Sequence, residues 1–186
     1  MTDVEHAAPE QTDVTLEDAH AAWAEAAREM LILTARRYQQ VLSSKDLAAG
    51  VQERSGITAT QRAHQWIGPV LDLVAADCAE RGEPNLTALC VTSEGGVGRG
   101  YAETVAAETG EAPEDPDVHA AKVRLDCHTY FEATNLPADG GTAMLTPRLS
   151  ASRTRLRKAA LEARPVESCP TCFMVLSAQG TCLNCA

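Results

Sequence analysis

Aromatic side chains are scarce in this chain, with two Trp, three Tyr and two Phe among 186 residues, or 4%. Apolar residues nevertheless reach 45%, and the excess is largely alanine. A core assembled from such material is helical and built from small side chains, so a mostly α fold is expected. No stretch approaches the roughly 18 uninterrupted apolar residues of a membrane span. The segment Met1–Gln11 is acidic and polar and lacks the plan of a signal peptide. A cytoplasmic location is therefore expected, and in that reducing compartment seven cysteines do not read as a disulfide framework. No Ser-His-Asp set, paired-carboxylate cleft or nuclease metal motif stands out, and no internal repeat is found, so the expectation is a protein without catalysis. The length suits a domain of about 130 residues with a small appendage.

Charge is uneven. From Arg148 onward six basic residues stand against Glu162 and Glu167, a net of +4, which leaves −14 on the first 147 residues of a chain whose total is −10. An acidic body with a basic tail implies that the tail alone touches nucleic acid, or that the body docks on a basic protein.

Residues 1–13 carry no periodicity and are expected to be disordered. Thr15, with Asp18 three residues on, caps a long alanine-rich helix predicted to run to about Leu42, with Trp23, Met30 and Leu33 on its inner face. Ser43 or Ser44 caps a second helix over Lys45–Arg54, which Gly56 stops. Thr58 or Thr60 caps a third, through Trp66, Val70, Val74 and Cys78, with Pro69 inside it. Leu86–Thr92 is short and rich in β-formers, Glu94-Gly95-Gly96 is a turn, and Val97–Tyr101 returns as a partner strand. Three helices followed by a hairpin wing is the order of a winged helix-turn-helix, predicted here over residues 14–133. Two further helices are expected near Tyr101–Glu108 and Asp117–Glu132. Residues 134–149, with Pro137, Gly140 and Gly141, read as a linker, and 150–186 as a basic helix and a metal knuckle.

The knuckle has the sharpest signal. Cys169-Pro-Thr-Cys172, nine intervening residues and Cys182-Leu-Asn-Cys185 put four thiolates on two tight turns that can close a tetrahedron around one Zn²⁺, with Gly180 where the link reverses. All four positions are cysteine, so the expected metal is structural, and binding it supplies the folding energy of a segment with almost no core of its own.

The stretch from Asp46 to Gly68, then Leu86–Val91, then Gly95-Gly-Val-Gly-Arg-Gly-Tyr101 resembles the winged-helix DNA-binding domain of the alkyltransferase-like proteins over about 55 residues. The family's Pro-Cys-His-Arg acceptor motif is absent, since its cysteine position falls on Ala88. The arginine that the family inserts from its helix is replaced by Gln65, ahead of Trp66-Ile67-Gly68. The chain also looks like small winged-helix proteins of actinobacteria and their phages, some attached to modification-dependent restriction nucleases. That likeness implies DNA reading without chemistry.

Cys90 would share a strand face with Ala88, and it reads as a buried core thiol. Cys127 reads as core and His128 as a surface residue, because adjacent helical side chains diverge by about 100°. Trp66, at helical spacing with Val70, reads as core. The glycines from Gly95 to Gly100 suggest a dinucleotide fingerprint, yet they link two β-like segments and read as a wing turn. Arg54, Arg62, Arg81 and Arg99 are the body's candidate positive face.

The combined expectation is a non-catalytic DNA-binding or regulatory protein. Its metal ligands are Cys169, Cys172, Cys182 and Cys185, and its DNA contacts are Arg62, Gln65, Arg99, Arg153, Arg155, Arg157 and Lys158. The alternative is an adapter whose acidic body docks a basic protein. An alkyl-transfer or nuclease-associated enzyme is the third reading.

Overall fold

The computed structural model describes residues 15–163, 168–177 and 180–185, and the expectation for residues 1–13 lies outside them. The chain divides into two compact units, residues 1–146 and 147–186. The first unit holds α1 (Leu16–Ala35), β1 (Leu42–Ser43), α2 (Ser44–Ser55), α3 (Ala63–Arg81), β2 (Cys90–Val91), α4 (Gly100–Thr109) and α5 (Pro116–Tyr130). The second holds α6 (Pro147–Glu162) and the cysteine segment. The protein is mostly helical, as expected, and none of the described helices is long and apolar enough to cross a membrane.

Local signals start the helices. The Thr15 hydroxyl accepts from the Asp18 amide at 3.1 Å and donates to its carboxylate at 2.6 Å, and Ser43 does the same with Asp46 at the head of α2. Each satisfies an orphan amide of the first turn, worth about 1 kcal/mol. Helix α3 begins later than expected, at Ala63, where Gln65 folds back to accept from the Arg62 amide at 3.2 Å.

Alanines let the helices of the first unit approach closely. Ala19, Ala26, Ala27 and Ala35 of α1 are buried, and a methyl at Gly50 of α2 would overlap the Met30 side chain. Two large rings fill the centre: Trp23 and Trp66 lie 4.3 Å apart, and Trp23 donates from Nε1 to the Ile57 carbonyl at 3.0 Å. Trp66 is thus core, as expected. Arg28 ties α1 to the end of α3 through Asp77 at 2.5 Å and through Glu83.

Helix α1 ends at Ala35 instead of near Leu42. The Ala35 carbonyl is taken by His128, the Arg36 carbonyl accepts from the Thr134 amide at 2.8 Å, and Gln39 has a positive φ of 63°. His128 is accordingly buried, which corrects its expected surface position.

The hairpin wing is not formed. Asn85 accepts from the Thr87 amide at 3.0 Å and from its hydroxyl at 2.6 Å, which starts a 3₁₀ turn over Leu86–Leu89. Only Cys90–Val91 is strand, and it pairs in parallel with Leu42–Ser43, Leu42 opposite Cys90 and Ser43 opposite Val91. Val97 cannot return as a partner strand, because its amide donates to the Asp117 carboxylate at 2.9 Å. The shared face expected for Ala88 and Cys90 is lost with the strand: Ala88 packs with Tyr101, Val105 and Ala120, and Cys90 with the main core.

The segment read as a linker is held to the first unit as far as Thr146. Tyr38 accepts from the Thr142 amide at 2.9 Å, buried Arg124 donates to the Met144 carbonyl at 3.2 Å, and the Thr146 hydroxyl donates to the Gly95 carbonyl at 2.7 Å. Pro147 then opens α6 directly, three residues earlier than expected.

Candidate metal centre and basic helix

In the cysteine segment a short antiparallel contact pairs Ser168 with Val175, and the Cys169 and Phe173 amides donate at 2.8 Å to the Met174 and Cys169 carbonyls. This closes the first C-x-x-C turn. The link then reverses where the Gly180 amide donates to the Ser177 carbonyl at 2.9 Å and Ser177 donates back to the Thr181 carbonyl at 3.0 Å. Gly180, as expected, takes the left-handed conformation this requires, with φ of 75°.

These turns bring Cys169, Cys172, Cys182 and Cys185 together, with all four ligand atoms within 4.8 Å of one another. Cys172 and Cys182 sulfurs are 3.4 Å apart and those of Cys169 and Cys185 are 4.0 Å apart. A disulfide needs about 2.05 Å, and a tetrahedron with metal–sulfur arms near 2.3 Å has sulfur–sulfur edges of about 3.8 Å. The spacing fits a metal and excludes paired disulfides in this arrangement. Electrostatics agree: the Met174 amide and neighbouring sulfurs pull the Cys172 thiol down to about 6, and the amides of Cys172 and Thr171 lower Cys169. Cys185 is pushed up to about 11 by the thiols beside it, Cys172 foremost. Four thiolates so close repel one another unless a cation stands among them, so the group can hold a metal ion.

Helix α6 has no buried residue. Arg155, Arg157 and Lys158 are exposed along it, and Lys158 lies 3.8 Å from Glu162. Arg153, on the same helix, is half-buried. Arg164 lies outside the described residues.

In the first unit the candidate positive face is thinner than its sequence suggests. Arg54 pairs with Glu29 at 3.2 Å, and Arg81 with Asp77 at 2.8 Å. Arg62 and Arg99 remain exposed, and Gln65 is engaged in starting α3. The fold brings Arg99 to the head of α3, where it lines one cavity with Ala63 and His64. Lys45 and Asp72 belong to the same cavity and escaped the sequence reading, because three segments far apart in the chain build it. The remaining thiols are quiet. Burial pushes Cys90 up to about 12 and raises Cys78 and Cys127. His119, near the buried Tyr101, shares a 3.1 Å hydrogen bond with its hydroxyl.

No family model matches this chain, and no match is found among curated proteins or solved structures.

Proposed function

We propose that this chain is a non-catalytic DNA-binding or regulatory protein of the cytoplasm, with one structural Zn²⁺ in its C-terminal knuckle. The observation that carries this reading is the exposed basic helix α6, joined in the chain to a tetracysteine group of metal-binding dimensions. Arg155, Arg157 and Lys158 supply phosphate contacts, which give affinity without sequence information. Selectivity falls to the first unit, with α2 and α3 read as a helix-turn-helix, Arg62 at the N-cap of α3 and Arg99 lining a cavity with Ala63 and His64. The loop from Gly95 to Arg99 takes the wing's place in this scheme, without its hairpin. Zinc is the metal that four cysteines in a closed tetrahedron select, and the absence of an open ligand position makes it structural. The thiol at Cys90, held protonated by burial and without a neighbouring histidine in its motif, supports the reading without catalysis.

The test is binding of the zinc-loaded full chain to labelled duplex DNA over a salt series. Affinity that falls linearly on a log–log plot with added salt supports the proposal, and absence of salt-dependent binding ends it.

One observation favours a second reading. Phe173 and Leu183 of the knuckle are 80% and 89% exposed, a large apolar surface for so small a segment. In an adapter these exposed side chains dock one protein while the acidic body takes a basic partner. Partner recovery from host extract that survives nuclease treatment favours the adapter.

A further inference from the structure

A cavity of about 560 Å³ opens in the first unit, inside the range of small-molecule sites. Its walls are apolar, formed by Ile67 and Leu71 of α3, Val91 of β2 and Tyr101 of α4. Around them stand Lys45, His64 and Arg99. All three are exposed, and neither Lys45 nor Arg99 has an ion-pair partner among the described residues. Each of these residues also marks a helix start. Ser44 and Lys45 open α2, Ala63 and His64 open α3, and Arg99 precedes Gly100 and Tyr101 at the head of α4, so three N-termini line one cavity. An N-terminus carries roughly half a positive charge, which Asp46 offsets in the first turn of α2 and Glu103 in that of α4, while the first turn of α3 has no acidic residue.

Three glycines leave the backbone bare. Gly68, Gly98 and Gly100 line the cavity, and a Cβ added at any of them meets no atom within 4 Å. Asp72 is the acidic group in the lining. Its Oδ1 accepts from Thr104 at 3.1 Å, which leaves Oδ2 to accept from a ligand N–H or O–H.

We propose that this cavity binds a free phosphate monoester on a ring-sized body that carries hydrogen-bond donors, the chemistry of a nucleoside monophosphate. Two full cations, a histidine and the uncompensated N-terminus of α3 against one lining carboxylate match a dianion better than the single charge of a carboxylate or of a phosphodiester. The apolar walls hold the ring, and Asp72 takes its donor. The assignment goes beyond the DNA reading and does not depend on it, since a phosphodiester within a strand carries one charge and no free monoester.

The experiment is calorimetric titration of the full zinc-loaded chain with adenosine 5′-monophosphate and guanosine 5′-monophosphate. Inorganic phosphate, adenosine and a 3′,5′-dinucleotide serve as parallel arms. The expected result is saturable binding of at least one monophosphate, with at least tenfold weaker binding of every control arm. Arg99→Gln and Lys45→Gln should each weaken binding tenfold or more. Gly100→Leu puts a side chain into open space at the first position of α4 and replaces a poor helix former by a good one, so it should abolish binding while the thermal midpoint holds. If neither monophosphate binds, if the dinucleotide binds equally well, or if Gly100→Leu keeps both midpoint and affinity, the assignment is overturned. Duplex binding measured on Lys45→Gln separates the two readings, because Lys45 lines the cavity and is not among the DNA contacts.

Discussion

His128 Nδ1 lies 2.7 Å from the carbonyl oxygen of Ala35, 93 residues away in the chain. A carbonyl only accepts, so Nδ1 carries the proton. The bond satisfies one of the orphan carbonyls in the last turn of α1 and fastens that turn to α5, with the Tyr38 ring edge-on 5.7 Å from the imidazole.

The contact makes stability depend on pH. Burial pushes the His128 imidazole below its ordinary value near 6.5; the Ala35 carbonyl opposes that shift and nearby Arg124 adds to it. The folded chain therefore keeps the ring neutral, while the unfolded chain takes up a proton near pH 6.5. The contribution is complete above about pH 6.5 and is lost as pH falls from there through the lower folded value. The thermal midpoint should drop on acidification below 6.5. His128→Asn, which keeps a donor but does not titrate, should show a shallower drop. Equal slopes for the two proteins would remove His128 from the account.

Metal content separates the two units. The purified chain should carry one zinc, and Cys172→Ser should release it, because three thiolates leave the tetrahedron open. The helical signal of the first unit should persist, since its core around Trp23 and Trp66 lies wholly within residues 1–146. Elemental analysis with circular dichroism checks both halves. Collapse of the whole helical signal with the metal would contradict independent units.

What the sequence disclosed was local. Thr15 with Asp18, the cap expected at Ser43 or Ser44, the stop at Gly56 and the two C-x-x-C turns each act within a few residues, and each is found in place, the cap at Ser43. What it concealed was set by distant partners. The end of α1 depends on His128 and Thr134, and the parallel pairing of Leu42 with Cys90 joins residues 48 positions apart. Leu86–Leu89 has the composition of a strand, but the side chain of Asn85 turns it before it can pair. The stretch beyond Asn135 has the composition of a linker, and its bonds to Tyr38, Arg124 and Gly95 reveal that it is held. The cavity beside Arg99 was hidden for the same reason, as its lining comes from three helix starts.

The three thiols of the first unit should label slowly. Cys78, Cys90 and Cys127 are all buried, and loss of solvation raises each of them, Cys90 to about 12. A thiol-specific reagent at pH 8 should modify none of them in the zinc-loaded native protein on the time scale that suffices for the unfolded chain. Fast modification of Cys90 alone, accompanied by uptake of a methyl group from alkylated DNA, would restore the alkyl-transfer reading.

The last prediction divides DNA binding between the units. Contacts from Arg155, Arg157 and Lys158 act on phosphates, so replacing all three with alanine should weaken binding to every duplex alike. If each makes one phosphate contact, the slope of log affinity against log salt should fall in magnitude by about 2.7, at roughly 0.9 per contact. Truncation after Thr146 removes α6 and the knuckle at the boundary between the units, and should lower the slope at least as much. Arg62→Ala and Arg99→Ala should act differently, eroding preference among sequences or modified bases with a smaller change in slope. Arg54→Ala and Arg81→Ala are controls, because Glu29 and Asp77 already hold those guanidinium groups. Fluorescence anisotropy over a salt series, run on at least two duplex sequences, measures both quantities together. Affinity and slope unchanged by the truncation would make α6 a protein-docking element and transfer the argument to the adapter, whose partner would then be sought at the exposed Phe173 and Leu183 side chains.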